Sequence, residues 1–300
     1  MSKPILFIVF NRPETTSRVF DVIRAAKPKR LYIAADGPRV GKDKDYNKCR
    51  EVRRIVNNVD WECEVRNLFR ENNLGCKYAV SGAIDWFFEN EEEGIILEDD
   101  CLPDQSFFMF CETLLDRYRD DENVMCISGD NFQFNNDSCK ESYYYSRYTH
   151  IWGWASWRRA WKRYDVAMNQ WPDYKSSGKM KSKFDSRLAV WYWTRIFDSV
   201  YRGDIDTWDY QWLFASLRHD GLNVIPRVNL ISNIGFGDDS THTKEVNRFF
   251  NIKTEAIKQP LIGPLQKIYN APADNYTESK MFSGTWAEII LRKLSNALRK

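Results

Sequence analysis

The chain has 300 residues, of which 43% are hydrophobic, 29% charged and 15% aromatic. This composition excludes a disordered chain, a collagen and a long coiled coil, and the length suffices for one large domain or two small ones. The 44 Lys and Arg exceed the 42 Asp and Glu by a net charge of +2, too little for bulk attraction to nucleic acid, and no nucleic-acid partner is expected.

Ile5 to Phe10 is a continuous apolar run, the pattern of a parallel strand buried on both faces. It is too short for a signal peptide or a membrane span. Thr15 or Thr16 can start a helix with Val19, Val22 and Ile23 on one face, closed by Pro28. Leu31 to Ala35 reads as a second strand ending at the turn Asp36-Gly37-Pro38-Arg39, and the polar stretch Lys42 to Lys48 reads as a loop. A helix over 49–60, a strand over Cys63 to Phe69, a helix over Tyr78 to Asn90 and a strand at Gly94 to Leu97 follow. This alternation predicts an α/β fold with a mostly parallel central sheet flanked by helices. Phe107 to Tyr118 reads as a helix and Val124 to Ser128 as a strand. Between Tyr143 and Trp212 lie nine of the 12 Trp; any single one reads as core, but the excess suggests a wall stacking on flat ligands. Residues 245–283 carry the weakest fold signal. From Trp286 onward Ile289, Ile290, Leu294, Ala297 and Leu298 share a helical face, with Arg292, Lys293, Arg299 and Lys300 beside them.

Seven Cys, at 49, 63, 76, 101, 111, 126 and 139, include no Cys-x-x-Cys pair, which argues against a disulfide framework or a zinc site and suits a reducing, cytoplasmic setting. The sharpest chemical signal is Glu98-Asp99-Asp100, three carboxylates where a buried strand ends. Ligands of open α/β sheets gather at such strand ends, and a divalent cation relieves the repulsion among three acids. No Gly-x-Gly-x-x-Gly follows the first strand and no Gly-x-x-x-x-Gly-Lys-Ser/Thr loop exists, so phosphates are not cradled by glycines. A metal held by acids could instead neutralise a departing diphosphate.

Ile95 to Leu102, followed by Pro103 to Phe108, resembles the metal motif of GT-A fold nucleotide-diphospho-sugar glycosyltransferases, in particular the N-acetylglucosaminyltransferase I type with its Glu-Asp-Asp. Pro4 to Pro13 and Leu31 to Pro38 resemble the first two strands of that fold. Trp152 to Trp157 resembles its glycine-containing loop near the donor sugar, Thr207 to Trp212 the segment with the catalytic carboxylate, and Gly237 to His242 a late metal and diphosphate segment. The resemblance covers roughly residues 4–243. It implies a GT-A catalytic domain over 1–245, divided into a nucleotide-sugar-binding half (1–106) and an aromatic-rich acceptor and catalytic half (107–245). A C-terminal extension over 246–300, with an amphipathic helix at about 284–300, would complete the chain.

The roles implied are a catalytic base at Asp209, with Asp206 as the alternative because Trp208 stands where the family has an acid. Donor contacts fall at Asp36, Arg12, Arg39, Glu98, Asp99, Gly153 and Trp154, and Mn²⁺ or Mg²⁺ at Asp100 and His242. The activity implied is inverting, metal-dependent transfer from a nucleotide-diphosphate sugar, a UDP-sugar being favoured, to a hydroxyl of a glycan or lipid-linked acceptor in surface polysaccharide or glycoconjugate assembly. The location implied is cytoplasmic, with peripheral contact to the inner face of the membrane through the C-terminal helix. Three other classes compete: a sugar nucleotidyltransferase, a metal-dependent phosphodiesterase or nuclease, and a non-catalytic carbohydrate-binding protein.

Overall fold

The computed structural model describes residues 2–134, 136, 138–235 and 251–283. Its first part alternates strand and helix: β1 (Ile5–Val9), α1 (Pro13–Ala26), β2 (Arg30–Ala35), α2 (Asp43–Val56), β3 (Glu64–Phe69), α3 (Gly75–Asn90) and β4 (Glu93–Glu98). Pro at the first position of α1 costs no hydrogen bond there, and Lys27, in the left-handed conformation, closes the helix. β5 (Cys101–Pro103), α4 (Ser106–Arg117), β6 (Val124–Ser128), β7 (Tyr143–Ser146) and β8 (Trp154–Trp157) come next. The short helices α5 (Arg158–Trp161) and α6 (Trp171–Ser176) precede α7 (Arg187–Tyr201) and α8 (Asp209–Arg218), and β9 (Leu222–Pro226), β10 (Ile231–Asn233) and α9 (Ala271–Met281) follow.

One sheet of eight strands, ordered β3-β2-β1-β4-β8-β6-β9-β7, carries the fold, and β10 and β5 form a two-stranded sheet. The pairings β3-β2, β2-β1, β1-β4 and β6-β9 are parallel, whereas β8 and β7 run against their neighbours. The fold is therefore α/β with a mostly parallel sheet between helices, as the alternation predicts. Because β1, β2, β4, β6 and β9 share a direction, their carboxyl ends lie along one edge, and every loop that leaves them there can meet a common ligand. One core lies under α1, α2 and α4, with Phe7, Val19, Ile33, Val52 and Leu114 buried. A second, under α3 and α8, holds Ile84, Phe87, Trp154, Trp161, Trp208 and Trp212.

Three expectations change. The polar stretch at 42–48 begins helix α2, whose acids Asp43 and Asp45 lie in the first turn and whose Cys49, Val52 and Val56 face the core; acids at a helix start favour the helix dipole. The aromatic excess is mostly core and not a ligand wall, because Trp154, Trp157, Trp161, Trp171, Trp193, Trp208 and Trp212 are all buried. They pack on one another, with Trp154 and Trp208 stacked at 5.9 Å between ring centres.

The third is the weakly patterned C-terminal part, whose residues 251–283 are built into the fold. Tyr269 bridges Tyr145 of β7, and α9 docks through buried polar groups. The Asp274 carboxylate accepts from Ser146 Oγ at 2.6 Å, from the Arg147 backbone N–H at 3.0 Å and from Arg147 Nε at 3.1 Å. Glu278 accepts from Trp193 Nε1 at 3.0 Å and from the Tyr148 hydroxyl. The predicted amphipathic helix at 284–300 lies outside the described residues, as does the membrane contact assigned to it. Among the described residues no helix is long and apolar enough to cross a membrane.

Asp274→Ala takes from the Arg147 guanidinium its buried partner, leaving the Lys183 carbonyl and the exposed Asp185 carboxylate. It is expected to cost about 3–5 kcal/mol, read from the midpoint of a urea titration, and an unchanged midpoint would show that α9 does not hold the fold.

Candidate functional site

The sheet register sets the site. Ile8 of β1 faces Glu98 of β4, so Phe10 and Arg12, just beyond β1, stand beside the turn Asp99-Asp100. The Phe10 backbone N–H donates to one oxygen of Asp99 at 3.0 Å. The Arg12 guanidinium then spans both acids, with Nη2 3.0 Å from the other oxygen of Asp99 and Nη1 2.5 Å from Asp100. Burial alone would lower the Arg12 pKa, but the charges of Asp99 and then Asp100 outweigh it and hold the guanidinium well above its ordinary range. For the acids the balance runs the other way. Burial, then Asp100, pushes the Glu98 carboxyl up, and burial pushes Asp99 up against the pull of Arg12.

Gly235, absent from the sequence-based site, lies directly on this ion pair. A Cβ there would collide with the Asp100 carboxylate and the Arg12 guanidinium. The backbone comes so close because the Ile234 N–H donates to the Asp100 carbonyl at 2.8 Å, anchoring the end of β10 to the turn after β4. The only sequence clue was a glycine just before Gly237 to His242. His242 itself lies outside the described residues.

The other predicted residues fall as follows. Asp36, at the end of β2, is buried, and its carboxylate accepts from the backbone N–H of Gly37 at 2.9 Å and of Leu74 at 3.1 Å, and from Asn73 Nδ2 at 2.9 Å. α3 has no side-chain cap of its own, so Asp36 caps it from a distance. Arg39 is held by Asp45, with Nε at 2.5 Å, and lies 5.6 Å from the Phe10 ring centre. Gly153 has φ +64°, and a Cβ there would come within 2.6 Å of Ile231 and 3.1 Å of Leu97, so only glycine lets the loop lie on the end of β4. Trp154 is wholly buried on β8 among Trp161, Trp208 and Trp212, so its ring has no face to offer a ligand. This corrects its expected role as a donor contact.

Asp209 opens α8, half-buried, and receives the Thr207 hydroxyl. It is close enough for its charge to help raise Glu98. The same charge acts on Cys76 in the first turn of α3, whose thiol is pushed up to about 12 by burial, then by Glu98, Asp209 and Asp206. Asp206 is exposed, with a carboxylate oxygen that would lie 3.4 Å from a Cβ at Gly75. Asp209 thus lies within electrostatic reach of Glu98, and both Asp206 and Asp209 within reach of Cys76 at the start of α3.

For a divalent cation the fit is incomplete. Asp99 and Asp100 are already engaged by Arg12, and among the described residues no three His, Cys, Asp or Glu side chains are placed to hold a metal ion. The described residues do not make the predicted metal centre by themselves.

No protein-family model matches the chain, and no curated protein matches it. Among solved structures, S. aureus TarS 1-349 aligns with 55% of this chain and 50% of its own at 10% identity and TM-score 0.36. HddC from Yersinia pseudotuberculosis aligns with 43% of this chain and 58% of its own at 10% identity and TM-score 0.29. An apo UDP-glucose pyrophosphorylase aligns with 54% of this chain and 79% of its own at 10% identity and TM-score 0.32. The chain thus spans between half and three-fifths of the first two. Likenesses this distant carry no argument about activity.

Arg12→Met removes the bridge between the acids. At neutral pH the variant is expected to lose about 3–5 kcal/mol, the cost of leaving a buried charge unpaired. Because the folded-state pKa of Asp99 is raised and would rise further without Arg12, its proton stabilises the variant below the unfolded carboxylate range, and that stability is lost as pH rises through the folded value. The deficit against the parent should therefore narrow on acidification, and chemical denaturation at several pH values measures it. A constant deficit would refute the bridge.

Proposed function

We propose that the chain is a glycosyltransferase that uses a nucleotide-diphosphate sugar, preferably a UDP-sugar, and transfers the sugar with inversion to a hydroxyl of a glycan or lipid-linked acceptor. One observation carries the reading: Arg12 and the acids that end β4 meet at the carboxyl edge of the parallel strands, with Asp209 at the start of α8 within electrostatic reach of Glu98.

Asp209 takes the proton of the acceptor hydroxyl while that oxygen forms a bond to the anomeric carbon. The bond from that carbon to the diphosphate breaks, and the nucleoside diphosphate leaves with the electron pair. Arg12 sets the charge of the edge. Fixed by two acids, it stays protonated and keeps Asp99 and Asp100 from repelling a polyanionic donor at full strength. Glu98, raised by burial and then by Asp100, is suited to hold a donor hydroxyl. Asp36 keeps α3 in place beneath the nucleotide. The dependence on Mn²⁺ or Mg²⁺ that the resemblance implies would rest on Asp100 and His242.

A melting-temperature screen of UDP, GDP, dTDP and CDP, each with and without Mn²⁺, tests the reading. A ligand at 100 times its Kd adds about 2.7 kcal/mol to stability. Release of nucleoside diphosphate from the matching sugar nucleotide supports a transferase of this kind. Formation of sugar nucleotide from a nucleoside triphosphate and a sugar phosphate would instead assign a nucleotidyltransferase, and no response to any nucleotide would leave a binding protein.

Asp209→Asn keeps size and polarity but cannot take the proton. Its kcat is expected to fall by about 10² to 10⁴ with the nucleotide Kd unchanged, while Asp206→Asn stays near the parent. If Asp206→Asn is the damaging change, the base is Asp206.

A further inference from the structure

A second acidic group stands on the same edge. β6 ends in Ser128, and the next residues, Gly129 and Asp130, lie beside the loop His150–Gly153 that leads into β8. Asp130 is 1% and His150 4% exposed, and Asp130 Oδ2 lies 3.3 Å from His150 Nδ1. The two atoms stand at ion-pair distance, and neither has a hydrogen-bond partner among the described residues. Burial pushes the Asp130 carboxyl up, and the imidazole opposite it holds it back. A buried acid and imidazole at ion-pair distance with no hydrogen bond between them are a poor way to stabilise a core, because desolvation offsets most of their attraction.

What the pair holds explains its position. Ser128 Oγ donates to the His150 carbonyl at 2.8 Å and accepts from the His150 N–H at 3.2 Å. Asp130 Oδ1 accepts from the Trp152 N–H at 3.2 Å, and the Gly129 N–H donates to the Gly153 carbonyl at 2.8 Å. The Phe132 ring covers His150 at 4.9 Å between centres and meets Trp152 edge-on at 5.0 Å. Ile151 and Trp152 are left half-exposed. This loop rests through Gly153 on Leu97, one residue before the acid trio, so a shift of the loop is a shift of the wall of the reaction centre.

We propose that Asp130 and His150 are a positioning pair that fixes the His150–Gly153 loop on the end of β6, so that Ile151 and Trp152 form the side of the reaction centre next to Glu98. Neither residue touches substrate. The inference rests on the transferase reading above.

The test compares His150→Ala, His150→Asn and Asp130→Asn with the parent. His150→Asn keeps a polar amide group near the place of Nδ1. Nucleoside-diphosphate affinity is measured with UDP, GDP, dTDP and CDP, turnover by release of nucleoside diphosphate from UDP-glucose, GDP-mannose, dTDP-glucose and CDP-glucose, and the folded fraction by circular dichroism at each assay temperature. His150→Ala and Asp130→Asn are expected to lose at least tenfold in kcat per folded molecule with an unchanged nucleotide Kd, and His150→Asn to recover to within about threefold of the parent. Turnover per folded molecule that stays within twofold in both Asp130→Asn and His150→Ala overturns the proposal, as does an equal loss in His150→Asn and His150→Ala. A parent that neither binds a nucleotide nor turns over a sugar nucleotide instead overturns the transferase reading itself.

Discussion

One arginine has to meet two neighbouring carboxylates, and much of the molecule is arranged so that it can. Asp99 is almost completely buried, and an unpaired charge at that depth would cost several kcal/mol. Arg12 reaches it only because β1 and β4 are adjacent, parallel and in one fixed register. The same guanidinium holds Asp100, whose carbonyl anchors Ile234, and so the position of β10 follows from it. Gly235 is the result of that closeness: two chain segments and an ion pair occupy a space with no room for a methyl group.

The edge is built from unlike parts. On one side, Asp36 spends its carboxylate on the start of α3, a structural duty for a residue in the place where a ligand contact was expected. On the other, Asp209 leads α8 into a Trp-rich core that fixes its direction. The N-termini of α3 and α8, with their partial positive charge, thus stand near the carboxylates and temper the negative field that the acids would otherwise set up. Such an edge can receive an anion, although its most conspicuous residues are acids.

How much of this could be read from the residues depended on what each element buries. β1, β2 and β4 are apolar on both faces, so their runs declare themselves, and the acid trio stands out because it ends one of them. Only the start of α2 was hidden, because Asp43, Lys44 and Asp45 are charged, and polarity in a short stretch does not separate a loop from an exposed helix start. α9 was hidden for the opposite reason: its inward face carries Asp274, Thr277 and Glu278, so no hydrophobic stripe marks it. The Trp count pointed to a ligand wall because composition does not tell a ring packed on other rings from one turned to solvent. Asp130 was within reach, since it follows a buried strand as Glu98-Asp99-Asp100 does. His150 was not, because 20 residues and no motif separate it from its partner.

The docking of α9 bears on the order in which the chain can acquire its structure during synthesis. Strands β1, β2, β3 and β4 find their parallel partners within the first hundred residues, and only β4 waits for β8 on its other side. Arg147 and Tyr148 cannot: their counterparts, Asp274 and Glu278, are translated about 130 residues later. Until then a guanidinium and a phenol await groups not yet made, and the aromatic cluster around Trp193 has an open side. A nascent chain would therefore hold a largely paired N-terminal part beside an incomplete partner, a stage at which chaperones have something to recognise.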